Sequence, residues 1–267
     1  MVTVAACQVR IDIDDEEKTR RIVAESVGWA AQQGARVVVL PELALCGSIF
    51  LDAVEAASRA EPADGESVQF LRGLSRAHEI VLVAGFCEVS GLDRPYNSAV
   101  VIDDGEVLAV YRKTHLWDFE NELFTPGPVL PPVVATSVGA VAPLICYDLA
   151  FPEVLRSVAL RGAQLVASPA NWPDSDSPAT RPPEVSKAMA GAAINRMVVV
   201  VADRVGEERG RRWVGGSVVC DHEGYRVAGP EFGVETVLLA DVDLDATREK
   251  KISGRNHVFD DRRVDLY

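Results

Sequence analysis

Three apolar runs in this sequence each end on an ionisable side chain. RVVVLPE closes on Glu42, EVLAVYRK on Lys113 and VAPLIC on Cys146. In α/β sheets, reactive groups collect in the crevice beyond the carboxyl ends of strands. A thiol, a carboxylate and an ammonium delivered to one crevice form a set for acyl chemistry. The thiol attacks a carbonyl carbon, the carboxylate takes its proton, and the ammonium stabilises the developing oxyanion. Each residue taken singly has a plainer explanation. A glutamate after a strand is usually a solvated loop residue, a lysine at a hairpin end usually lies on the surface, and a cysteine in an apolar run usually packs as a small hydrophobe. Only the conjunction favours chemistry.

That chemistry has internal requirements. A free thiol titrates near pH ~8.5, so at neutral pH it needs help to become a nucleophile. Lys113 would favour the anion. Glu42 could accept the proton and later deprotonate a water molecule. Losing one well-placed oxyanion donor typically costs roughly 3–4 kcal/mol. His115, two residues after Lys113, offers a rival Cys–His pairing, although a packing or supporting role is the favoured reading for it. His78, His222 and His257 have no ligand-like spacing. His222 follows Cys220 by two positions, but no second such pair completes a site. A metal site is not expected. Cys7, Cys46, Cys87 and Cys220 lie in or at the ends of apolar runs and read as core. Trp172, after another strand end, fits a pocket wall and a core position equally well.

The elements that must position these groups follow from the hydrophobic pattern. Val2 to Val9 reads as a strand. Asp14 to Gln33 has helical spacing, with Ile22, Val23, Ser26, Val27, Ala30 and Ala31 on one face and Gly34 stopping it. ARVVVLPE and IVLVAGFCEV read as buried strands, with a helix over Val68 to His78 between them. YNSAVVIDDGEVLAVYRK reads as a hairpin turning at Asp104-Gly105. A strand leads into LICYD, and Phe151 to Arg161 reads as a helix with Pro152 in its first turn. QLVASPA, MVVVVAD, WVGGSVVC and TVLLADVDL read as further strands, with a helix over Pro183 to Arg196. The stretch 175–183 is the most loop-like, and Gly206 to Gly210 reads as a charged turn. Alternating strands and helices interrupted by hairpins predict an α/β fold with mixed sheets. No low-complexity linker divides the chain, so residues 1–267 are read as one domain.

The composition narrows the function classes. The 267 residues are 48% hydrophobic and 25% charged, an ordinary globular balance. The 27 basic and 40 acidic residues give a formal net charge of -13. Such a chain repels polyanions, so neither a nucleic acid nor an anionic membrane surface is expected as a partner. The five cysteines are scattered and never spaced as CxxC, which fits a reducing cytoplasm better than a disulfide framework. The N-terminus lacks a basic region and reads as a strand, not a signal peptide. The longest charge-free stretch, Leu123 to Tyr147, is broken by prolines and does not read as a membrane span.

The motifs carry a more specific signal. VVVLPELALCG, VYRKTHLWDFENELFTPG and LICYDLAFPEVLR resemble, in that order and at matching distances, the glutamate, lysine and cysteine motifs of the carbon–nitrogen hydrolase (nitrilase) superfamily. Further similarity lies in MVTVAACQV, SPANWP, GGSVVCDHEGYRVA and DRRVDLY, so the resemblance covers essentially the whole chain. It implies a four-layer α-β-β-α sandwich and a homodimer or larger even assembly. It also implies a covalent thioester mechanism without metal or organic cofactor. By this resemblance Cys146 is the nucleophile, Glu42 the general base and Lys113 the oxyanion partner, with the Tyr147 N–H as second oxyanion donor. An additional active-site glutamate falls in ENELFTPG, where Glu120 matches better than Glu122. Tyr147, Asn171 and Trp172 are the substrate-binding candidates. One departure concerns the residue after VVVVA, where Asp203 stands in place of the family's common Asn. Cys146-Tyr147-Asp148 followed by Phe151-Pro152-Glu153 looks most like the amidase branches. The resemblance therefore implies an amidase releasing ammonia from a small amide, with an N-carbamoyl hydrolase or a nitrilase as alternatives. A binding module that lost the chemistry is disfavoured by the intact Glu42, Lys113 and Cys146.

Overall fold

Runs such as VVVL, IVLVAGF and MVVVVA are apolar at every position, so the strands they form must be covered on both faces. The computed structural model describes residues 1–174 and 182–266. In its first half, β1 (Val2–Gln8), α1 (Glu16–Gln32), β2 (Val37–Val39), α2 (Ala53–Ser58), α3 (Glu66–His78), β3 (Val81–Glu88), β4 (Tyr96–Asp103), β5 (Glu106–Arg112) and α4 (Glu120–Leu123) follow in order. The second half runs through β6 (Val134–Thr136), β7 (Gly139–Pro143), a 3-10 turn over Cys146–Ala150, α5 (Pro152–Leu160), β8 (Leu165–Ala170), α6 (Pro183–Asn195) and β9 (Val198–Asp203). It ends with β10 (Val205–Glu208), β11 (Arg211–Val214), β12 (Val218–Cys220), β13 (Arg226–Ala228) and β14 (Thr236–Val242).

Two six-stranded sheets form, ordered β14-β1-β2-β3-β4-β5 and β13-β12-β9-β8-β7-β6. Strands β1, β2 and β3 are parallel, as are β7, β8 and β9, and antiparallel strands extend each sheet at both sides. The period-2 alternation of side chains then sorts every strand into two apolar faces. Val4, Val37 and Val81 of the first sheet meet Leu165, Val198 and Val200 of the second in a layer between the sheets. On the first sheet's other face, Ala5, Val38 and Leu82 pack under Val23 and Val27 of α1 and Leu71 of α3. On the second sheet's other face, Val166 and Val199 pack under Leu155 and Val158 of α5 and Ala188 of α6. The architecture is the four-layer α-β-β-α sandwich.

The hairpin between β4 and β5 turns at Asp104 (φ +46°) and Gly105 (φ +77°), the paired left-handed conformation that matches strand twist. Some expectations need correcting. WVGGSVVC is not one strand: Gly215 (φ +64°) and Gly216 separate β11, which pairs with β10, from β12 in the second sheet. The charged turn is narrower than Gly206 to Gly210, because Gly206–Glu208 are strand and only Arg209 and Gly210 turn. Helices α2 and α4 are too short to leave a periodic signal. The loop-like 175–183 stretch lies, except for Pro182 and Pro183, outside the described residues. In the polar C-terminal tail, Phe259 packs on the α5–α6 layer beneath Arg156 and Lys250. Among the described residues no helix is long and apolar enough to cross a membrane.

One close approach ties the fold to what it carries. A Cβ at Gly85 in β3 would lie 2.4 Å from the Leu43 nitrogen and 2.6 Å from the Glu42 Cα. These are backbone atoms that no rotamer change can clear. Gly85→Ala is expected to destabilise the protein by about 1–3 kcal/mol, the usual range for overpacking, and to displace Glu42. Urea unfolding followed by circular dichroism checks this; an unchanged midpoint would show that β3 and the Pro41–Leu43 segment separate without cost.

Candidate active site

After β2 the chain continues through Leu40 and Pro41 alongside β3. Leu40 N–H donates to Val83 O (2.8 Å), Gly85 N–H to Pro41 O (3.1 Å) and Ala44 N–H to Gly85 O (2.9 Å). Leu43 turns with φ +50°, which leaves Glu42 at the strand end with 1% exposure. Lys113 follows β5, also 1% exposed, with its N–H bonded to Asn97 O and its carbonyl accepting from Gly127 N–H, each at 2.8 Å. Glu120 opens the short α4 and is likewise buried. Cys146 comes from the other sheet, past the end of β7, where it starts the 3-10 turn with φ +47°. For a non-glycine residue that conformation costs on the order of 1–2 kcal/mol. Strain of this kind concentrates at functional sites.

The Lys113 ammonium is the centre of the cluster. Its Nζ donates to Glu42 Oε1 (2.6 Å) and to both oxygens of Glu120 (2.9 and 2.7 Å). Asn97 Nδ2 donates to Glu42 Oε1 (2.7 Å) and Glu120 Oε1 (3.0 Å), and the Trp117 N–H donates to Glu120 Oε2 (2.6 Å). Burial works against the ammonium, yet Glu120 and Glu42 together hold Lys113 well above the ordinary lysine range. Burial pushes the Glu120 carboxyl up to about 7; Lys113 opposes that shift and Glu42 adds to it. Burial, with Glu42 and Glu120 adding to it, drives the Cys146 thiol well above its ordinary value despite Lys113. The resting sulfur is therefore a protonated thiol.

Glu42, Lys113, Glu120 and Cys146 line one small recess of about 30 Å³. That is room for roughly two water molecules, so only a small reacting group fits. The recess adjoins an outer cavity of about 1090 Å³, also lined by Cys146 and walled by Trp117, Tyr147, Trp172, Trp213 and Phe232. The Tyr147 ring stands edge-on to Trp117 (5.0 Å) and Phe151 (5.1 Å). Trp172 is 3% exposed and serves both readings at once: it belongs to the α5–α6 core cluster and forms part of the cavity wall. Asn171 borders both spaces, its backbone N–H works to lower the Cys146 thiol against burial, and its buried side-chain amide has no partner among the described residues.

The remaining candidates sort clearly. His115 does not line the recess. Its Nδ1 lies 2.8 Å from Asp148 Oδ1, and its ring stacks on Phe151 at 3.8 Å. Glu122 lines neither the recess nor the outer cavity. Asp203 is fully buried and accepts from the Trp172 and Gly216 N–H groups, each at 2.7 Å, so it fixes the backbone beside Asn171. Two residues were not singled out from the sequence. Asn97 sits inside the apolar strand YNSAVV, and a lone buried amide there was the available signal. Asp148 looked like part of a motif, with nothing local to show its partners. Among the described residues no group of three or more His, Cys, Asp or Glu side chains is arranged to hold a metal ion.

Comparison with known proteins identifies the family. The model of the carbon-nitrogen hydrolase family matches residues 3–252. A nitrilase of Pyrococcus abyssi is 35% identical over 100% of this chain and 99% of its own length. An (R)-stereoselective amidase of a Pseudomonas species is 34% identical over 86% of this chain and 80% of its own. Among solved structures, a glutamate-to-glutamine variant of the Nesterenkonia sp. AN1 amidase superposes with a TM-score of 0.81 at 26% identity, covering 100% of this chain and 98% of that one. In it, acrylamide has added to the active-site cysteine by Michael addition.

Burial pushes the Asp203 carboxyl from 3.8 up to about 8, although the Gly216 and Trp172 N–H groups pull the other way. Between these values the folded chain holds a proton that the unfolded chain has released. The stability tied to this proton is therefore lost as pH rises through that window. Urea midpoints for wild type and Asp203→Asn, measured from about pH 5 to pH 8, should diverge, with wild type losing ground to the variant as pH rises. Parallel profiles would mean that Asp203 is ionised throughout.

Proposed function

The chain belongs to the carbon–nitrogen hydrolase family, and on that premise we propose that it is an amidase in which Cys146 attacks the carbonyl carbon of a small amide. The observation that carries this reading is the Lys113 ammonium, buried between Glu42 and Glu120 in the recess it shares with Cys146. Because the thiol rests protonated, attack is coupled to proton transfer to Glu42. The carbonyl oxygen gains negative charge as the C–S bond forms. Lys113 Nζ and the Tyr147 N–H stabilise it. Collapse expels the nitrogen, which takes the proton from Glu42 and leaves as ammonia. A thioester remains on Cys146. Glu42 then deprotonates a water molecule, which attacks the thioester. The resulting tetrahedral intermediate expels Cys146 as a thiol and releases the carboxylic acid.

In this scheme Glu120 is not the main base. With both oxygens on Lys113 Nζ, and with a carboxyl that titrates near neutrality, it orients the ammonium. Asn171, Tyr147 and Trp172 contact the substrate from the recess and the outer cavity. Residues 1–267 act as one domain, since the first sheet supplies Glu42 and Lys113 and the second supplies Cys146. The cysteines at positions 7, 46, 87, 146 and 220 are all free, in keeping with a reducing cytoplasm. The working form is a homodimer or larger even assembly; Leu160 on α5 and Ile194 on α6 remain 45% and 44% exposed on the helix layer. Light scattering at micromolar concentration should return at least twice 28.8 kDa, and a monomeric mass would refute the assembly.

Glu42→Gln tests the chemistry. General acid–base help is commonly worth about 10²–10⁴ in rate, so ammonia release from simple amides should fall by at least that range while the fold is kept. With an activated acyl donor the variant should still form the thioester and accumulate it, visible by intact-mass spectrometry as an acyl adduct that Cys146→Ala does not form. Near-wild-type turnover by Glu42→Gln would remove Glu42 from the scheme. Carbamoyl compounds and nitriles run beside the amides decide among the family's reactions.

A further inference from the structure

Asp148 is fully buried and takes no step in the scheme above. Its Oδ2 accepts from the Ile145 N–H (3.0 Å) and the Tyr111 hydroxyl (2.8 Å). Its Oδ1 accepts from the His115 N–H (3.2 Å) and the Thr114 hydroxyl (3.1 Å), and lies 2.8 Å from His115 Nδ1. The Asp148 N–H returns a bond to Ile145 O at 3.0 Å. This reciprocal pair closes a ring around Cys146 and Tyr147. The ring therefore encloses both the left-handed residue and the N–H assigned to the oxyanion. The other partners, Tyr111, Thr114 and His115, bracket Lys113 on both sides in the chain. One carboxyl thus joins the Cys146 turn, which belongs to the second sheet, to the strand end of the first sheet that carries Lys113.

The site needs an acceptor at both oxygens. The Ile145 and His115 N–H groups can only donate. An amide in place of the carboxyl would turn an NH₂ toward one or the other. Asp148 lines neither the recess nor the outer cavity, so it acts only through the residues it holds.

We propose that Asp148 is a positioning residue that sets the placement of the Cys146 thiol against the Lys113 ammonium by bridging the two sheets. This role presupposes the amidase reading. Small misplacements of reacting groups can cost on the order of 10²-fold in rate. Asp148→Asn is therefore expected to lower kcat about 100-fold, with KM kept within about threefold because Asp148 itself touches neither the recess nor the outer cavity. Circular dichroism at the assay temperature verifies that the variant is folded. If it does not fold, the paired variant Tyr111→Phe/Thr114→Val, which removes two donors and keeps the carboxyl, should lower kcat about tenfold at unchanged KM. A folded Asp148→Asn that melts earlier but keeps kcat within about twofold of wild type would overturn the proposal and leave Asp148 a purely structural residue. So would a wild-type kcat in the paired variant when Asp148→Asn fails to fold. A wild-type protein that releases no ammonia from any amide would bring down the amidase reading and this role with it. An active wild type beside an unaffected variant brings down this role alone.

Discussion

An ammonium group withdrawn from water must be paired, and Lys113 is withdrawn almost completely. Removing one partner of a buried ion pair typically costs about 3–5 kcal/mol, because the other charge is left uncompensated. Here the compensation is divided. Glu42 receives one bond at 2.6 Å and Glu120 two, and Asn97 ties the two carboxylates together from beneath. The cluster holds more acid than base. Burial above all, with that excess adding to it, lifts the Glu120 carboxyl toward neutrality and raises the Cys146 thiol. The direction of these shifts favours a thiol over a thiolate at Cys146.

Such a cluster has to be held by rigid elements, and the sandwich supplies them from two directions. Glu42 and Lys113 leave the ends of β2 and β5 in one sheet, while Cys146 leaves the end of β7 in the other. The valine-rich layer between the sheets sets their spacing, and close-packed interiors transmit small displacements instead of absorbing them. The glycine at position 85 allows the Glu42 backbone to lie directly on β3. The Cys146 turn is strained, and its neighbours Ile145 and Asp148 hold it shut.

The space around the cluster is divided in two. The recess around the reactive groups is small, and the wider cavity outside it is walled by aromatic side chains on several loops. Asp203 fastens the backbone of one of those loops at Trp172 and another at Gly216. A carboxyl in that position also brings a titration that an amide would lack.

Much of this was legible in the linear sequence. Continuous apolar runs required strands covered on both faces, the Asp104-Gly105 pair required a hairpin, and three runs ending in Glu42, Lys113 and Cys146 pointed to one crevice. These are local properties of period, turn chemistry and residue type, and a chain carries them before it folds. Wording shared with a family added the layer order, which periodicity cannot supply because it does not say which sheet a strand joins. Only the tertiary structure decided the rest. The pairing of β11 with β10, away from β12, depends on a partner strand that spacing does not identify. Asn97 and Asp148 are ordinary polar residues until strands distant in sequence surround them with donors and acceptors, since a buried hydrogen bond is defined by both of its ends. His115, two residues from Lys113, was turned toward Asp148 and Phe151 and away from the recess by packing that sequence distance does not encode.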